Sequence, residues 1–205
     1  MGENLGKAEF RSRSSPCVER RLDELAAAVD EAAQTGKLAP LGAPDRAQKF
    51  TWDMGVWQSA VSAQTVTHMG RSELKGYTSA YEYIKRIQTY SEQEDQTWVA
   101  LYGLVGQGRR FDPAEASAFR RAISEARFLD RAIAGSGLRA RLGVEAQSLR
   151  YDHQTFRKEA EEPINSLAIC KSIEGPPPAH YGAAPWEKDG LRQTQSPGST
   201  IATSP

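Results

Sequence analysis

The chain has 205 residues, of which 39% are hydrophobic and 25% are charged, values typical of one globular domain with tails. Its 26 basic and 26 acidic residues cancel, which excludes a general field that would attract nucleic acid or an anionic membrane. The sequence predicts neither a membrane span nor a secretory precursor, because no run approaches 18 apolar residues and the first 15 residues contain no apolar signal region.

The first predicted helix begins with Ser15 as a cap and Pro16 in the first turn. It runs to Gly36 with apolar residues in steps of three and four: Val18, Leu22, Leu25, Val29, Ala32 and Ala33. The polar residues 1–13 are predicted to be a disordered N-terminal segment. After a proline-bearing loop, a shorter helix is predicted from Trp52 to Thr67.

The third and longest predicted helix covers about Ser72 to Val105. Its polar middle, YSEQEDQT, indicates either two separately packed ends with a solvated waist or a break. A fourth helix begins at Asp112 with a capping box and ends near Gly135. A fifth is expected from about Leu138 to Pro163.

No period-2 strand pattern is evident, so we predict an all-α antiparallel bundle of about five helices with one long helical hairpin. The helical domain covers residues 14–173, and residues 174–205, rich in Pro, Gly, Ser and Thr, form a predicted disordered tail. The apolar stripes predict a core that includes Leu22, Leu25, Val29, Trp57, Val61, Tyr81, Ile84, Trp98, Leu101, Phe119, Ile123 and Leu129.

Four segments carry a family resemblance: PCVERRLDEL, FTWDMGVWQSA, LKGYTSAYEYIKRIQ and FDPAEASAFRRAISEA. Together they resemble the helical domains of a large group of uncharacterised bacterial envelope proteins. In that group the domain follows a single N-terminal transmembrane helix, which the present sequence lacks, and is expected on the outer side of the inner membrane. The resemblance covers about residues 16 to 173 and implies an envelope location, but no activity.

Residues that could carry chemistry are few. Trp52 and Trp57 could form an aromatic cage but are better interpreted as core anchors. The acidic run at residues 92–95 lacks the ligand spacing and turn glycine of a calcium loop, which favours a solvated helix face. The histidines, His68, His153 and His180, are far apart in sequence. We therefore predict no catalytic, metal or cofactor-binding residues and no enzymatic activity.

One charge cluster is a candidate site. Arg120, Arg127 and Arg131 share a face of the fourth predicted helix, and such a face could bind phosphate groups of lipid or nucleic acid through bidentate guanidinium contacts. The competing interpretation is a solvated face that is partly paired with Glu125 and Asp130.

The two cysteines stand near the two ends of the helical unit. The polar sequence RSRSSP before Cys17 excludes a lipid anchor. A reactive thiol would have a physical basis at a helix start, but no histidine or second thiol lies nearby in sequence. Because the ends of a compact domain are often close, an oxidising compartment predicts a disulfide between Cys17 and Cys170, whereas in the cytosol both would be reduced thiols.

The sequence therefore predicts a non-enzymatic helical interaction or scaffold module of the bacterial cell envelope, periplasmic or envelope-associated. We expect it to bind a protein partner or its own copy and to need no cofactor or small-molecule substrate. The alternative is nucleic-acid or anionic-surface binding through the arginine face, and a cytoplasmic location is the alternative to the envelope.

Overall fold

The computed structural model describes residues 1–173, so the tail predicted for residues 174–205 lies outside the described part of the chain. The described residues form five α-helices and one two-stranded sheet, which confirms the predicted all-α class. The helices are α1 (Gly2–Thr35), α2 (Gly55–Ser62), α3 (Arg71–Leu101), α4 (Pro113–Ala146) and α5 (His153–Ala160). Short 3₁₀ helices cover Thr65–His68, Tyr102–Leu104, Ile164–Ser166 and Ala168–Cys170.

The helices α1, α3 and α4 pack side by side as the central bundle. Helices α3 and α4 form the predicted long hairpin, with Ser72 Oγ donating to Gln147 at one end and the Tyr90 and Phe128 rings in contact near the middle. Helix α1 is antiparallel to α4 and therefore parallel to α3. Such a parallel pair requires the chain between α1 and α3 to return along the whole bundle.

That return begins at a small sheet, in which β1 (Lys37–Leu38) pairs antiparallel with β2 (Arg109–Arg110). The sequence did not predict these strands, which are too short to show an alternating pattern. Beyond the sheet, the loop runs back beside α1 and is fixed by two hydrogen bonds with Asn4. The Asn4 side chain donates to the Asp53 carbonyl (2.6 Å) and accepts from the Asp53 amide (2.9 Å).

Residues 2–13 are helical and seven of them are buried, so the prediction of a disordered N-terminal segment is wrong. Helix α1 begins at Gly2 and passes through Pro16, which the sequence placed at its start. An internal proline costs a helix about 3 kcal/mol, but the first turns here are held by tertiary contacts with α5 and the return loop. At Gly6 the backbones approach so closely that an added Cβ would lie 2.6 Å from the Phe156 carbonyl oxygen.

Helix α4 continues through Gly135 to Ala146, whereas the sequence predicted an end at Gly135 and a new helix from Leu138. The reason is packing against α1: a Cβ at Gly137 would lie 2.9 Å from the Ala8 Cβ, so glycine permits this contact. The start of α4 is as predicted, with the Asp112 carboxylate accepting from the Glu115 amide at 2.8 Å. The remaining C-terminal helix, α5, is only His153–Ala160 and packs on α1.

The bundle core consists of two apolar clusters. One surrounds Leu22, Leu25, Trp98, Leu101 and Ile123, and the other surrounds Leu5, Ile84, Ile87, Ile133 and Val144. Most residues predicted for the core are buried, but three differ: Trp57 and Phe119 are half-buried, and Val61 is 47% exposed. Between the two clusters lie four buried polar residues, Arg11, Ser14, Glu94 and Asp130.

Candidate interaction surface

The three arginines of the candidate anion-binding face point toward α1 and meet its carboxylates. Arg120 donates through two nitrogens to Asp30 Oδ1, at 2.8 and 2.6 Å. Arg131 Nε donates to Glu19 at 2.7 Å. The expected pairing with Glu125 and Asp130 is thus replaced by a ladder of ion pairs between α4 and α1.

Arg127 belongs to the same ladder, since it contacts Asp23 and lies 3.4 Å from Glu19. These pairs are partly exposed, so each contributes little stability, but each neutralises an arginine that a phosphate would otherwise meet. A phosphate ligand would have to displace the carboxylates of α1.

A second charged group lies in the polar layer between the two apolar clusters. The Arg11 guanidinium forms ion pairs with Glu94 of α3 and, at 2.7 Å, with Asp130 of α4, and Ser15 donates to Asp130. All three charged side chains are buried, so this ion-pair cluster joins the three bundle helices at one level. The interpretation of the acidic run as a solvated face is therefore wrong for Glu94.

Burial determines the protonation behaviour of this cluster. It raises the pKa of the Glu94 carboxyl and the pKa of the Asp130 carboxyl above their ordinary values, while the positive charge of Arg11 opposes the shift. The sequence did contain a signal for Glu94: it lies seven residues from both Ile87 and Leu101, on the buried stripe of α3. Its partner Arg11 was missed because it precedes the predicted helix start.

The cysteines are joined in the structure by a disulfide between Cys17 and Cys170, with the two Cα atoms 4.8 Å apart. The bond fixes residues 161–173 against α1, where Ile169 is buried in the core. Next to it, the buried Arg21 side chain donates to the carbonyls of Pro44 (2.6 Å) and Lys171. One side chain therefore ties both the return loop and the C-terminal segment to α1.

The least buried helix is α2, although it has the most apolar sequence. The segment from Met54 to Gly70, MGVWQSAVSAQTVTHMG, contains no Asp, Glu, Lys or Arg, and we call it the uncharged segment. None of its 17 residues is buried, and Val56 is 72% exposed. It contacts α3 through Trp57, whose ring stacks on Tyr81 with centroids 5.0 Å apart.

The two tryptophans at this end of the molecule thus have different environments. Trp52, before α2, is buried in the core beside Phe50, in agreement with its interpretation as a core anchor. Trp57 is half-buried and lines an open groove between α2 and α3, together with Met54, Val61 and Lys85. The sequence could not separate the two, because both follow the same apolar pattern.

Within residues 1–173, no three His, Cys, Asp or Glu side chains are grouped so that they could hold a metal ion. Within the same residues, no helix combines the length and apolar character needed to cross a membrane. Comparisons with protein-family models, with curated proteins and with solved structures found no match to this chain.

Proposed function

We propose that this protein is a non-enzymatic helical interaction module of the bacterial cell envelope, and that the uncharged segment is its contact surface. The main support for the proposal is that α2, the most apolar helix, is exposed at the side of a well-packed bundle. Burial of apolar surface contributes about 25 cal/mol per Å² to stability, and this contribution is lost where the surface stays exposed. Contiguous exposed apolar patches are typical of interaction sites.

The composition of the segment also fits a contact surface. Interface centres are depleted in charged residues and enriched in tryptophan and methionine, and the segment has Trp57, Met54 and Met69 with no charged side chain. Because Trp57 is already stacked on Tyr81, a partner would meet a pre-oriented ring. Less conformational entropy is then lost on binding.

The disulfide supports the envelope part of the proposal. Disulfides persist in oxidising compartments, which in a bacterium lie outside the inner membrane, and they are rare in the cytosol. A bond between Cys17 and Cys170 encloses almost the whole helical unit, so its presence or absence would affect the entire fold. The family resemblance implies the same location.

Site-specific photo-crosslinking in the native host tests the contact surface. A photoreactive residue at Val56 should give discrete adducts, because this side chain lies in the uncharged segment and is 72% exposed. The matched control is Ser124, an exposed position on α4. Absence of adducts at Val56, or equal adducts at both positions, would contradict the proposal.

Binding to nucleic acid or an anionic surface is less favoured, because Arg120, Arg127 and Arg131 already have carboxylate partners on α1. It nevertheless makes a distinct prediction. Affinity for DNA or for anionic vesicles would fall steeply with salt concentration, since arginine–phosphate contacts release counterions. A strong salt-dependent affinity that Arg127→Ala reduces would favour this alternative over the interaction module.

A further inference from the structure

We infer that the partner of the uncharged segment is a second copy of this chain, related by a two-fold axis that passes beside the groove between α2 and α3. The inference rests on the proposed function and specifies the partner of the same surface. Three observations support a two-fold dimer: the charges of the groove, the extent of the surface and the zero net charge of the chain.

The groove has an apolar floor and two charged groups at its edge. Met54, Trp57 and Val61 line it from the α2 side, and Tyr81 lines it from α3. Its charged lining residues are Glu82 and Lys85, which are opposite in sign and both exposed. Neither forms an ion pair with another described residue.

Two-fold symmetry makes these charges complementary to themselves. In an isologous interface, a residue that contacts another across the axis is contacted in return by that residue's counterpart. Glu82 and Lys85 are three residues apart on α3, about one helical turn. When two copies of α3 cross antiparallel near this turn, Glu82 of each chain meets Lys85 of the other, and both unpaired charges are neutralised.

The surface is also large enough. A stable interface uses about 20–30 residues on each side. The uncharged segment supplies 17 residues, none of them buried, and the exposed Glu82, Lys85 and Gln88 extend it along α3 to the lower end of that range. The apolar residues of two copies would cover each other, and the formal net charge of zero creates no overall repulsion between the chains.

A lipid surface fits less well. Helices that lie on membranes have an excess of Lys and Arg on their polar side, which interacts with anionic headgroups. The edge of this groove instead has one residue of each sign. That balance matches a copy of itself better than it matches an anionic surface.

Sedimentation velocity of the oxidised full chain over a wide concentration range tests the inference, with two charge reversals. Glu82→Lys and Lys85→Glu each place like charges across the axis, so each variant alone should self-associate about tenfold more weakly than the wild type. An equimolar mixture of the two variants should recover the dimer, because every cross-axis pair is again of opposite sign. The matched control is Arg121→Glu, a charge reversal on the exposed face of α4, which should leave self-association unchanged.

Circular dichroism melts verify that all variants remain folded. A wild-type chain that stays monomeric would overturn the inference, as would a dimer that neither reversal weakens. In either case, adducts at Val56 to a different protein would leave the proposed function standing, while the absence of any adduct would remove both. Recovery of the dimer in the mixture, without recovery in either variant alone, is the outcome that a two-fold contact through this edge requires.

Discussion

Two segments of this chain show that burial does not follow average hydropathy. Residues 2–13 include charged side chains and no long apolar run, yet Leu5, Phe10 and Arg11 are at most 2% exposed. The uncharged segment has no Asp, Glu, Lys or Arg and includes α2, the most apolar helix, yet none of its residues is buried. The first segment was predicted to be disordered and the second to contribute to the core.

The difference lies in the neighbours that the fold supplies. The N-terminal turns of α1 are surrounded by α5, the return loop and the two long helices, and the carboxylates of Glu94 and Asp130 neutralise Arg11 there. Helix α2 lies outside the central bundle and stacks on α3 through one aromatic ring. Complementary groups therefore decide burial, and an apolar segment without a covering element stays exposed.

The largest expected effect concerns the bond that holds the C-terminal segment over α1. Replacing both Cys17 and Cys170 by serine should lower the free energy of unfolding by about 4 to 5 kcal/mol, an upper bound from the loop-entropy model, because the bond closes a very long loop. Urea unfolding of the oxidised protein and of the double variant measures the loss. An unchanged unfolding midpoint, with the bond verified by intact mass in the wild type, would show that α1 holds this segment without it.

The next effect tests the polar layer directly. Arg11→Ala should cost about 3–5 kcal/mol, because it leaves two buried carboxylates without their cation. The matched control, Arg121→Ala on an exposed face, should change the free energy of unfolding by at most about 0.5 kcal/mol. Similar small losses for both variants would mean that the N-terminal turns are not packed as described.

Apolar packing of the same turns gives a slightly smaller effect. Leu5→Ala should cost about 2–5 kcal/mol, the range of buried leucines, because Leu5 is 1% exposed within the second apolar cluster. Val61→Ala in the uncharged segment should cost at most about 0.5 kcal/mol. Chemical denaturation of both variants compares the two regions. A larger loss of stability for Val61→Ala than for Leu5→Ala would mean that burial follows average hydropathy after all.

The sequence was sufficient for the features that depend on local patterns. The start of α4 at Asp112 and Pro113, the end of α1 at Gly36 and the long α3–α4 hairpin follow from capping residues and 3.6-residue periodicity. The all-α class follows from the same patterns. These signals are contained within a few neighbouring residues, so one sequence is enough to find them.

Other features depend on residues that are distant in sequence. The burial of Glu94 requires Arg11, 83 residues away, and the passage of α4 through Gly137 requires Ala8 at its side. The pairing of Arg120, Arg127 and Arg131 likewise requires the acidic residues of α1. Periodicity along one helix does not indicate which helix will lie opposite, and therefore could not predict these contacts.

The protonation of the polar layer gives a pH-dependent effect, smaller than the loss of Arg11. Because burial raises the pKa of the Glu94 and Asp130 carboxyls, the folded state holds their protons more tightly than the unfolded chain does. The free energy of unfolding therefore falls as the pH rises from the ordinary carboxyl range through the raised values, and it stays lower above them. Glu94→Gln should flatten this slope, whereas the exposed control Glu92→Gln should not. Urea unfolding over a pH series measures both, and equal slopes in the two variants would contradict the assignment.

The smallest effect on stability is expected for substitutions in the uncharged segment, which should instead weaken self-association. The double substitution Val56→Ser and Val61→Ser should change the free energy of unfolding by at most about 0.5 kcal/mol per site, because both side chains are already in contact with solvent in the monomer. It should nevertheless weaken self-association, because the same apolar surface is then lost from the dimer interface. Unfolding is measured at concentrations at which the wild type is monomeric, and association by sedimentation velocity. A loss of stability comparable to that of Leu5→Ala would mean that the uncharged segment is part of the core after all. If both stability and association are unchanged, Val56 and Val61 are not contact residues.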